Sequence, residues 1–496
     1  MADLTWQPRL TTKKGPRYRA IADALEADIA AGRLTPGTRL PTHRALADVL
    51  GVTVGTITRA YTDAERRGLI DATVGRGTYV RSQQRGSLAG SAEPTDTSIC
   101  FPALSPAWTE TPATSITASP PPAANPDRAT GEAIDLSANY PVGTYLADAL
   151  APGLAAINVP ERLNAIAGYQ SSAGHPEHRV AGADWLGRFK LPARPEEIII
   201  ANGCQGGMSI ALAGLTHPGE TVLVEDLAWP GIHALTQQQG LRPVAVPLDR
   251  DGLRPDALAE AAQRSNARIA YCMPTHHNPT NRTMPESRRR EILNVAATYG
   301  MTIIEDDIYG FLHPDAPPPL AALAPDHAVY TTSLSKCVAP GLRIGFVKAP
   351  ANLHPRIIAA QRAACIMACS VTAELATYLI QNDHADHAAT RQRAAAEARQ
   401  RLAARYLPEA AMLTHPSSFH IWLKLPERWS GAAFVRAAWI RGVAVTPGDA
   451  FTPDGRDPRG VRLCLCAPRD ERDLERALST LAGLLAEPSI AAMPFV

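Results

Sequence analysis

The chain has 496 residues, enough for about three domains of average size. Its 45% hydrophobic and 20% charged residues exclude a wholly disordered or fibrous protein. No apolar run reaches the ~18 residues of a membrane-spanning helix, and the first residues lack the apolar core of a secretory signal. We therefore expect a cytoplasmic protein that makes no membrane contact.

The net charge of +1 is unevenly distributed. Residues 1–81 carry 13 Lys and Arg against 8 Asp and Glu, a balance of +5, so the remainder of the chain is mildly acidic. A basic segment of this kind is typical of a chain that meets nucleic acid at one end, although +5 also fits a solvated face.

Three short helices are the first predicted elements. Thr42 is predicted to cap the second helix, which closes at Gly51, with Val49 facing inward, and Thr53 is predicted to cap the third. The first helix is predicted from an apolar stripe at helical spacing, formed by Tyr18, Ile21, Ala22, Leu25 and Ile29.

A hairpin is predicted next, in the segment 71–80, DATVGRGTYV. Two helices joined by a short turn and followed by a hairpin predict a winged helix-turn-helix, whose third helix enters the major groove of DNA. Thr56 and Arg59 point outward from that helix, Arg76 lies at the hairpin tip, and Arg44 is placed for a phosphate. A three-helix interaction module with solvated arginines is the alternative that the pattern leaves open.

This segment resembles the DNA-binding domain of GntR-type bacterial regulators over about residues 15–81. The matching motifs are Pro41-x-x-Arg44, Val52-Thr53-x-x-Thr56 and Gly75-Arg76-Gly77-Thr78. The resemblance implies an operator of double-stranded DNA as partner, with contacts from Arg44, Thr53, Thr56 and Arg76. Arg59 joins this set through its position on the outward helical face. We expect residues 1–81 to form the DNA-binding domain.

Residues 82–131 differ in composition from the rest of the chain. They contain 8 Pro, 7 Ser, 7 Thr and 9 Ala with only six charged residues. Such a composition offers too little apolar surface to offset the entropy of ordering, so a flexible linker is predicted here.

From residue 132 onward, short apolar runs alternate with Ala-rich helical stretches. This order predicts an α/β domain over residues 132–496 with a mainly parallel central sheet. Ligands of such sheets bind at the carboxyl ends of the strands. The predicted strands are 198–200, 221–225, 268–273, 301–305 and 328–331.

The residues that follow these strands are those that pyridoxal 5'-phosphate requires. Lys336 can form an aldimine with this cofactor, and Asp306 can keep its pyridine nitrogen protonated. Trp229 can stack on the ring, while Asn278 and Tyr309 can bond the ring hydroxyl.

A phosphate clamp is predicted at the same edge of the sheet. It begins at a helix N-terminus, whose free N–H groups suit an anion. Each of these residues alone has an ordinary structural explanation, so the prediction depends on their ordered combination. The clamp residues are Gly203, Cys204, Gln205, Ser333, Ser335 and Arg343.

The ordered set resembles the fold-type-I aminotransferase family from about residue 134 to the end. The resemblance implies the same roles for the cofactor residues, with Lys336 as the Schiff-base lysine. Tyr169, in Ala167-Gly168-Tyr169-Gln170, matches the tyrosine that reaches the phosphate of the neighbouring subunit, which implies a head-to-tail homodimer. Arg462 matches the arginine that receives the substrate carboxylate.

Three positions depart from the family pattern. Asn281 stands where glycine is usual and must take a turn conformation. Trp229 replaces a Tyr or Phe, and Gly206-Gly207 are expected to loosen the helix start after the phosphate turn. No metal site is expected, because His276-His277, His384-x-x-His387 and the scattered cysteines show no convincing partners.

A GntR-type segment, a long linker and an aminotransferase-like body together resemble the MocR group of bacterial transcriptional regulators. The resemblance implies a regulator that senses an amino compound through pyridoxal phosphate bound as a lysine aldimine. The alternative is a catalytically competent aminotransferase that carries a DNA-binding module, and a scaffold without cofactor is a third class. Whether the body turns over as an enzyme is left open by the sequence, because a sensor and a catalyst need the same lysine, aspartate and arginine.

Overall fold

The computed structural model of the chain describes residues 6–8, 17–35, 37–67, 69–73, 77–80, 133–143 and 146–487. These residues belong to two compact units, one within residues 1–104 and one within residues 105–496. The predicted linker 82–131 and Arg76 lie outside the described residues. Within the described ranges, no helix is long and apolar enough to cross a membrane.

The N-terminal unit contains three helices followed by a hairpin, as predicted. Its strands pair antiparallel, with Ile70 opposite Val80. The elements are α1 (Arg17–Ala30), α2 (His43–Leu50), α3 (Val54–Arg66), β1 (Ile70–Thr73) and β2 (Gly77–Val80).

The predicted ends of α2 and α3 are confirmed. Thr42 Oγ1 accepts the backbone N–H of Ala45 at 3.3 Å, and Thr53 Oγ1 accepts that of Thr56 at 3.3 Å. Gly51 closes α2 with a φ of +59°, a left-handed conformation that glycine adopts without a Cβ clash. Local side-chain chemistry therefore fixes where α3 begins.

The helices of this unit pack around a small apolar core. Ile21 and Leu25 of α1 and Ile57 of α3 are almost completely buried, as the helical stripes predicted. The prediction that Val49 faces this core is wrong, because its side chain is 40% exposed. Leu46 and Ala47 supply the buried face of α2 instead.

The second unit alternates strands and helices. Its strands are β3 (Ile134–Leu136), β4 (Ile198–Ala201), β5 (Thr221–Glu225), β6 (Arg242–Val246), β7 (Leu248–Asp249), β8 (Gly252–Leu253), β9 (Ile269–Cys272), β10 (Thr302–Asp306), β11 (Ala328–Ser333), β12 (Gly345–Lys348), β13 (Met412–Leu413), β14 (His420–Lys424), β15 (Val443–Pro447) and β16 (Gly460–Cys464). Its helices are α4 (Leu146–Ile157), α5 (Pro160–Ala167), α6 (Pro176–Gly187), α7 (Gly203–Leu215), α8 (Pro230–Gln238), α9 (Pro255–Ser265), α10 (Glu286–Tyr299), α11 (Leu320–Leu323), α12 (His354–Cys365), α13 (Ser370–Gln381), α14 (His384–Ala403), α15 (Gly431–Ile440) and α16 (Glu471–Ala486).

Two sheets divide this unit into a large and a small lobe. The large lobe is built on a seven-stranded sheet of order β4-β12-β11-β10-β9-β5-β6, in which only β12 runs antiparallel to its neighbours. The small lobe is built on a five-stranded sheet of order β13-β14-β16-β15-β3, which α15 and α16 cover. Each sheet has its own apolar core. The predicted mainly parallel central sheet is confirmed.

Parallel strands bring the ends of distant segments to one edge of the large sheet. Asp306 is the last residue of β10, Ser333 is the last residue of β11, and Gly203 opens α7 directly after β4. These three residues therefore reach one region of the molecule although long stretches of chain separate them. This edge of the sheet is where the candidate site lies.

Candidate functional site

A cavity of about 230 Å³ opens at this edge of the large sheet. It gathers most of the residues predicted to hold a cofactor or its amino partner; of those, only Gly203 and Tyr169 are not part of its wall. The lining residues are Asn139, Cys204, Gln205, Met208, Trp229, Met273, Asn278, Asp306, Ile308, Tyr309, Ser333, Ser335, Lys336, Pro340, Arg343 and Arg462.

Lys336 projects its amine into this cavity and donates a hydrogen bond to the backbone oxygen of Asn139. Burial, reinforced by the nearby guanidinium groups of Arg462 and Arg343, lowers the pKa of this amine to about 8. A substantial fraction of the amine is therefore uncharged and nucleophilic near neutral pH.

Asp306 is buried at the bottom of the cavity, where it accepts three hydrogen bonds. Tyr271 Oη donates at 2.9 Å, Cys204 Sγ at 3.3 Å and the backbone N–H of Ile308 at 3.2 Å. Burial raises the pKa of the Asp306 carboxyl to about 6, and these hydrogen bonds limit the rise. A carboxylate desolvated in this way gains from a cationic partner.

Asn278, Tyr309 and Arg462 form a polar wall of the cavity and make two sets of hydrogen bonds. Arg462 donates to Asn278 Oδ1 at 3.0 Å and to the backbone oxygen of Ser137 at 2.7 Å. Asn139 Nδ2 donates to Tyr309 Oη at 2.5 Å, and burial raises the pKa of this phenol, which stays protonated. The wall is closed to solvent, because Asn278, Tyr309 and Arg462 are each less than 8% exposed.

The opposite end of the cavity carries hydroxyls and a guanidinium. Ser333 Oγ accepts the backbone N–H of Ser335 at 3.2 Å, and Arg343 contacts Ser335 Oγ at 3.5 Å. Gly203 adopts a φ of +77°, and a Cβ at this position would lie 2.6 Å from the Arg343 guanidinium. Glycine is therefore required where α7 begins beside Arg343.

Two departures from the expected family pattern have a packing explanation. A Cβ on Gly207 would lie 2.8 Å from Val347 of β12, so this glycine lets α7 pack closely on the sheet. The helix runs without a break from Gly203 through both glycines. The Trp229 ring lies over Gly231, where a Cβ would come within 2.0 Å of it. Trp229 is thereby accommodated in the cavity wall.

Asn281 takes the predicted turn conformation, with a φ of +59°. Its amide donates to the backbone oxygens of Leu413 at 3.2 Å and His420 at 2.8 Å, and its carbonyl accepts from Ser418 Oγ. A glycine would relieve the backbone but lose all three bonds. Asn281 thus ties the loop after β9 to the small lobe.

Tyr169 lies apart from this site. Its side chain is 87% exposed and is absent from the cavity wall of its own chain. Its role at a neighbouring subunit stays a prediction.

Sequence reasoning missed several residues that complete the cavity. Tyr271 bonds Asp306 from the adjacent strand, and Asn139 bonds both Lys336 and Tyr309 from the beginning of the unit. The continuous apolar run of β9 indicated a strand but gave no sign of which side chain reaches its neighbour. Asn139 stands in a segment without periodic pattern, so only the fold brings it to the site.

The predicted DNA contacts of the N-terminal unit lie on the surface around the start of α3. Arg44, Thr53 and Arg59 are exposed, and Thr56 is half-buried. Thr53 and Thr56 also bond each other through their hydroxyls at 2.9 Å. Arg76 falls outside the described residues.

Comparisons with known proteins agree with both units. Residues 134–481 match the family described as aminotransferase class I and II. The chain belongs to this family. Residues 17–80 match the bacterial regulatory proteins of the gntR family, so a GntR-type helix-turn-helix is fused to an aminotransferase domain. This combination is that of the MocR-type regulators that the sequence resembles.

Similar proteins include regulators and enzymes. The uncharacterized HTH-type transcriptional regulator YdeF of Bacillus subtilis is 29% identical over 97% of both chains. A 2-aminoadipate transaminase of Thermus thermophilus is 27% identical over 64% of this chain and 83% of its own. The crystal structure of LysN, an α-aminoadipate aminotransferase of Thermus thermophilus complexed with N-(5'-phosphopyridoxyl)-L-leucine, shares the fold. It is 24% identical with a TM-score of 0.64, and the match covers 71% of this chain and 92% of that one.

Class I and II aminotransferases depend on pyridoxal 5'-phosphate, and the cavity fits this group. Its wall supplies an amine, a buried carboxylate and, at the other end, hydroxyls with a guanidinium. Asn139 Oδ1 is buried without a hydrogen-bond partner, as expected of a polar wall that faces a ligand. The glycine beside Arg343 leaves room where an anion would meet the N-terminus of α7.

Proposed function

We propose that this protein is a transcriptional regulator that binds operator DNA through its N-terminal unit and senses an amino compound at the cavity around Lys336. The observation that carries this proposal is the cavity itself. In a chain with a DNA-binding unit, the wall of one cavity brings together the amine of Lys336, the buried carboxylate of Asp306 and the guanidinium of Arg462. The name of the relative YdeF, which matches over nearly the full length, supports the regulatory role.

Pyridoxal phosphate would be held by residues at both ends of the cavity. Lys336 would bind it covalently, and Asp306 would keep its ring nitrogen protonated, so that the bound cofactor supplies an electron sink. Asn278 and Tyr309 would bond the ring oxygen, while Trp229 would stack on the ring.

The phosphate would lie at the start of α7. The N–H groups of a helix N-terminus favour an anion, and a guanidinium with neighbouring hydroxyls adds charge-assisted hydrogen bonds. The residues proposed for this clamp are Gly203, Cys204, Gln205, Ser333, Ser335 and Arg343.

Arg462 would receive a carboxylate of the amino compound. Its guanidinium is buried, and its Nε has no hydrogen-bond partner. Buried guanidinium groups are stabilised by a planar anion that accepts two bonds. The proposed effector is therefore a primary amine that also carries a carboxylate. Its amine would compete with the uncharged fraction of the Lys336 amine for the cofactor.

DNA would be met by Arg44, Thr53, Thr56 and Arg59 of the N-terminal unit, together with Arg76. Arginine and threonine side chains at the start of a recognition helix supply both phosphate and base contacts. We propose the boundaries 1–81 for this domain, 82–131 for the linker and 132–496 for the effector domain. A regulator acts on the chromosome, so we propose the cytoplasm as its location.

A head-to-tail homodimer is the proposed assembly. Tyr169 is exposed in the single chain, and its hydroxyl would meet the cofactor phosphate of the neighbouring subunit. Two N-terminal units in one particle would then meet two operator half-sites.

An aminotransferase that carries a DNA-binding module is the second candidate. It is favoured by the retention of every ionisable group that transamination requires, Lys336, Asp306 and Arg462 among them. Rapid, saturable turnover of amino donors with keto acids would favour this enzyme over the sensor.

Titration of the full-length protein with amino compounds tests the proposal. We expect pyridoxal phosphate to give a visible absorbance that borohydride reduces to a covalent adduct on Lys336, and we expect carboxylated primary amines to change this absorbance and the affinity for operator DNA together. Lys336→Ala should lose the adduct and the response while it retains DNA binding. A colourless protein after reconstitution, or an operator affinity indifferent to every amine that changes the spectrum, would contradict the sensing role.

A further inference from the structure

Three histidines from the two lobes lie together beside the loop that carries Asn278. His276 follows β9, His313 follows the short helix Gly310–Leu312, and His415 lies between β13 and β14. One ring nitrogen of each lies within 4.8 Å of those of the other two. No partner for His276 could be predicted from the sequence, because the other two histidines are distant along the chain.

His276 is the buried member of this cluster, and its ring lacks hydrogen bonds. Among the described residues, neither Nδ1 nor Nε2 has a partner, although the side chain is completely buried. His313 Nδ1 is likewise buried and has no partner among them. Buried polar groups without a partner are destabilising, so this arrangement favours a ligand that several ring nitrogens share.

Burial disfavours the charged form of all three imidazoles. It lowers the pKa of His276 and of His313, and it lowers the pKa of His415 to about 4, with neighbouring histidines adding to the effect for His276 and His415.

Charges around the cluster act in both directions. Asp315 favours a cation at His313, whereas Arg289 and Lys190 oppose one. His415 Nδ1 accepts the backbone N–H of Ser417 at 3.3 Å and lies 3.1 Å from Ser417 Oγ, so Nε2 is the ring nitrogen that a metal would bind. His313 and His415 are half-buried, which gives an ion a path from solvent to His276.

We propose that His276, His313 and His415 form a three-histidine site for a divalent transition metal, with Zn²⁺ as the fitting ion. Three nitrogens and one open position suit four-coordinate zinc, and within the described residues the group contains no thiolate or carboxylate ligand that would favour a softer or harder ion. Zn–N bonds of about 2.0–2.1 Å require nitrogens about 3.4 Å apart, so nitrogens that lie within 4.8 Å of one another would approach by up to about 1.4 Å.

The site joins the two lobes at a point next to the cofactor cavity. His276 and His313 belong to the large lobe, and His415 belongs to the small lobe. Asn281 already bonds the small lobe from the same loop. A bound ion would therefore fix the loop that carries Asn278 against the small lobe.

Zinc titration of the full-length protein tests this site. The protein is purified without a histidine tag, reconstituted with pyridoxal phosphate, stripped with a chelator and titrated with Zn²⁺ against a chromophoric competitor. We expect one strongly bound ion per chain, at least tenfold weaker binding in His313→Gln and in His415→Gln, and parent affinity in His217→Gln, an exposed histidine elsewhere in the unit. Co²⁺ in place of Zn²⁺ should give the visible absorption of a four-coordinate ion.

The residues substituted in both cluster variants, His313 and His415, are half-buried, so we expect each variant to fold. Its cofactor absorbance should match that of the parent and report an intact fold. Zinc should also raise the melting temperature of the parent more than that of either variant. Parent affinity in either cluster variant, or the absence of a stoichiometric ion in the parent, would overturn the proposal and leave the cluster as three packed neutral rings.

Discussion

At the scale of single residues, the Lys336 amine is surrounded by groups that oppose its charge. Burial is the main cause of its lowered pKa, and the guanidinium groups of Arg462 and Arg343 add to it. Cys464 and Asp306 act in the opposite direction but do not compensate. Such a lysine is poorly suited to a structural ion pair and well suited to covalent chemistry.

The rate of covalent cofactor attachment should therefore follow the titration of this buried amine. The protonated form cannot attack a carbonyl, so the rate rises with pH through about 8 and levels above it. At pH 7 about one amine in ten is uncharged, against about one in three thousand for an ordinary lysine. Stopped-flow reconstitution of cofactor-free protein from pH 6 to 10 measures this profile. A rate that keeps rising towards pH 10.5 would show that the amine is solvated.

Variants of Arg343 and Arg462 can be compared with the parent in the same measurement of attachment rate against pH. Both guanidinium groups lower the pKa of Lys336, so Arg462→Gln should move the midpoint of the rate profile upward while the levels at high pH remain similar.

The residues of the site could be predicted to different degrees. Lys336, Asp306 and Asn278 were found because each follows a strand whose carboxyl end had to reach one edge of the sheet. Asn139 and the cluster around His276 were not found, because their partners come from other segments and no local pattern records such contacts.

At the scale of elements, Thr53 stabilises α3, whereas Arg59 does not contribute to the ends of this helix. Thr53 caps the helix through the Thr56 N–H, whereas Arg59 is exposed further along the helix. Thr53, itself a proposed DNA contact, thus also stabilises the helix, whereas the proposed role of Arg59 is recognition alone.

Alanine substitutions should divide these two effects. We expect Thr53→Ala to lower the free energy of unfolding of the N-terminal unit by about 1 kcal/mol through loss of the cap. Arg59→Ala should leave that free energy unchanged, weaken operator binding and reduce the slope of log affinity against log salt by about one. Thermal unfolding and operator titrations at several salt concentrations measure both. Arg19→Ala on α1 is the matched control, and equal losses of DNA binding in Arg19→Ala and Arg59→Ala would remove the specific role of Arg59.

The elements themselves follow closely from local sequence where local chemistry decides them. The caps Thr42, Gly51 and Thr53 fix the ends of α2 and α3. The five predicted apolar runs match β4, β5, β9, β10 and β11 of the large sheet to within about two residues, whereas β6 and β12 were not predicted. The five-stranded sheet was not predicted, because β3 pairs with β15 from the far end of the unit. Pairings of that kind depend on the whole chain closing on itself.

At the scale of the whole molecule, regulation requires a free-energy coupling between the cavity and the DNA-binding unit. An effector that binds equally well to the DNA-bound and free forms cannot change operator affinity, however tightly it binds. Coupling factors of this kind correspond typically to about 1–3 kcal/mol.

The coupling must be reciprocal, which gives a test that does not depend on knowing how the two units are arranged. If a carboxylated amine changes operator affinity by a given factor, saturating operator DNA must change the affinity for that amine by the same factor. Cofactor absorbance titrations of the amine with and without operator DNA measure one side, and operator titrations with and without the amine measure the other. Arg59→Ala, at a DNA concentration that saturates the parent but lies below the weakened operator affinity of the variant, should show the amine affinity of the DNA-free parent. Two unequal factors would mean that the amine acts through turnover rather than through a binding equilibrium, and would favour the aminotransferase over the sensor.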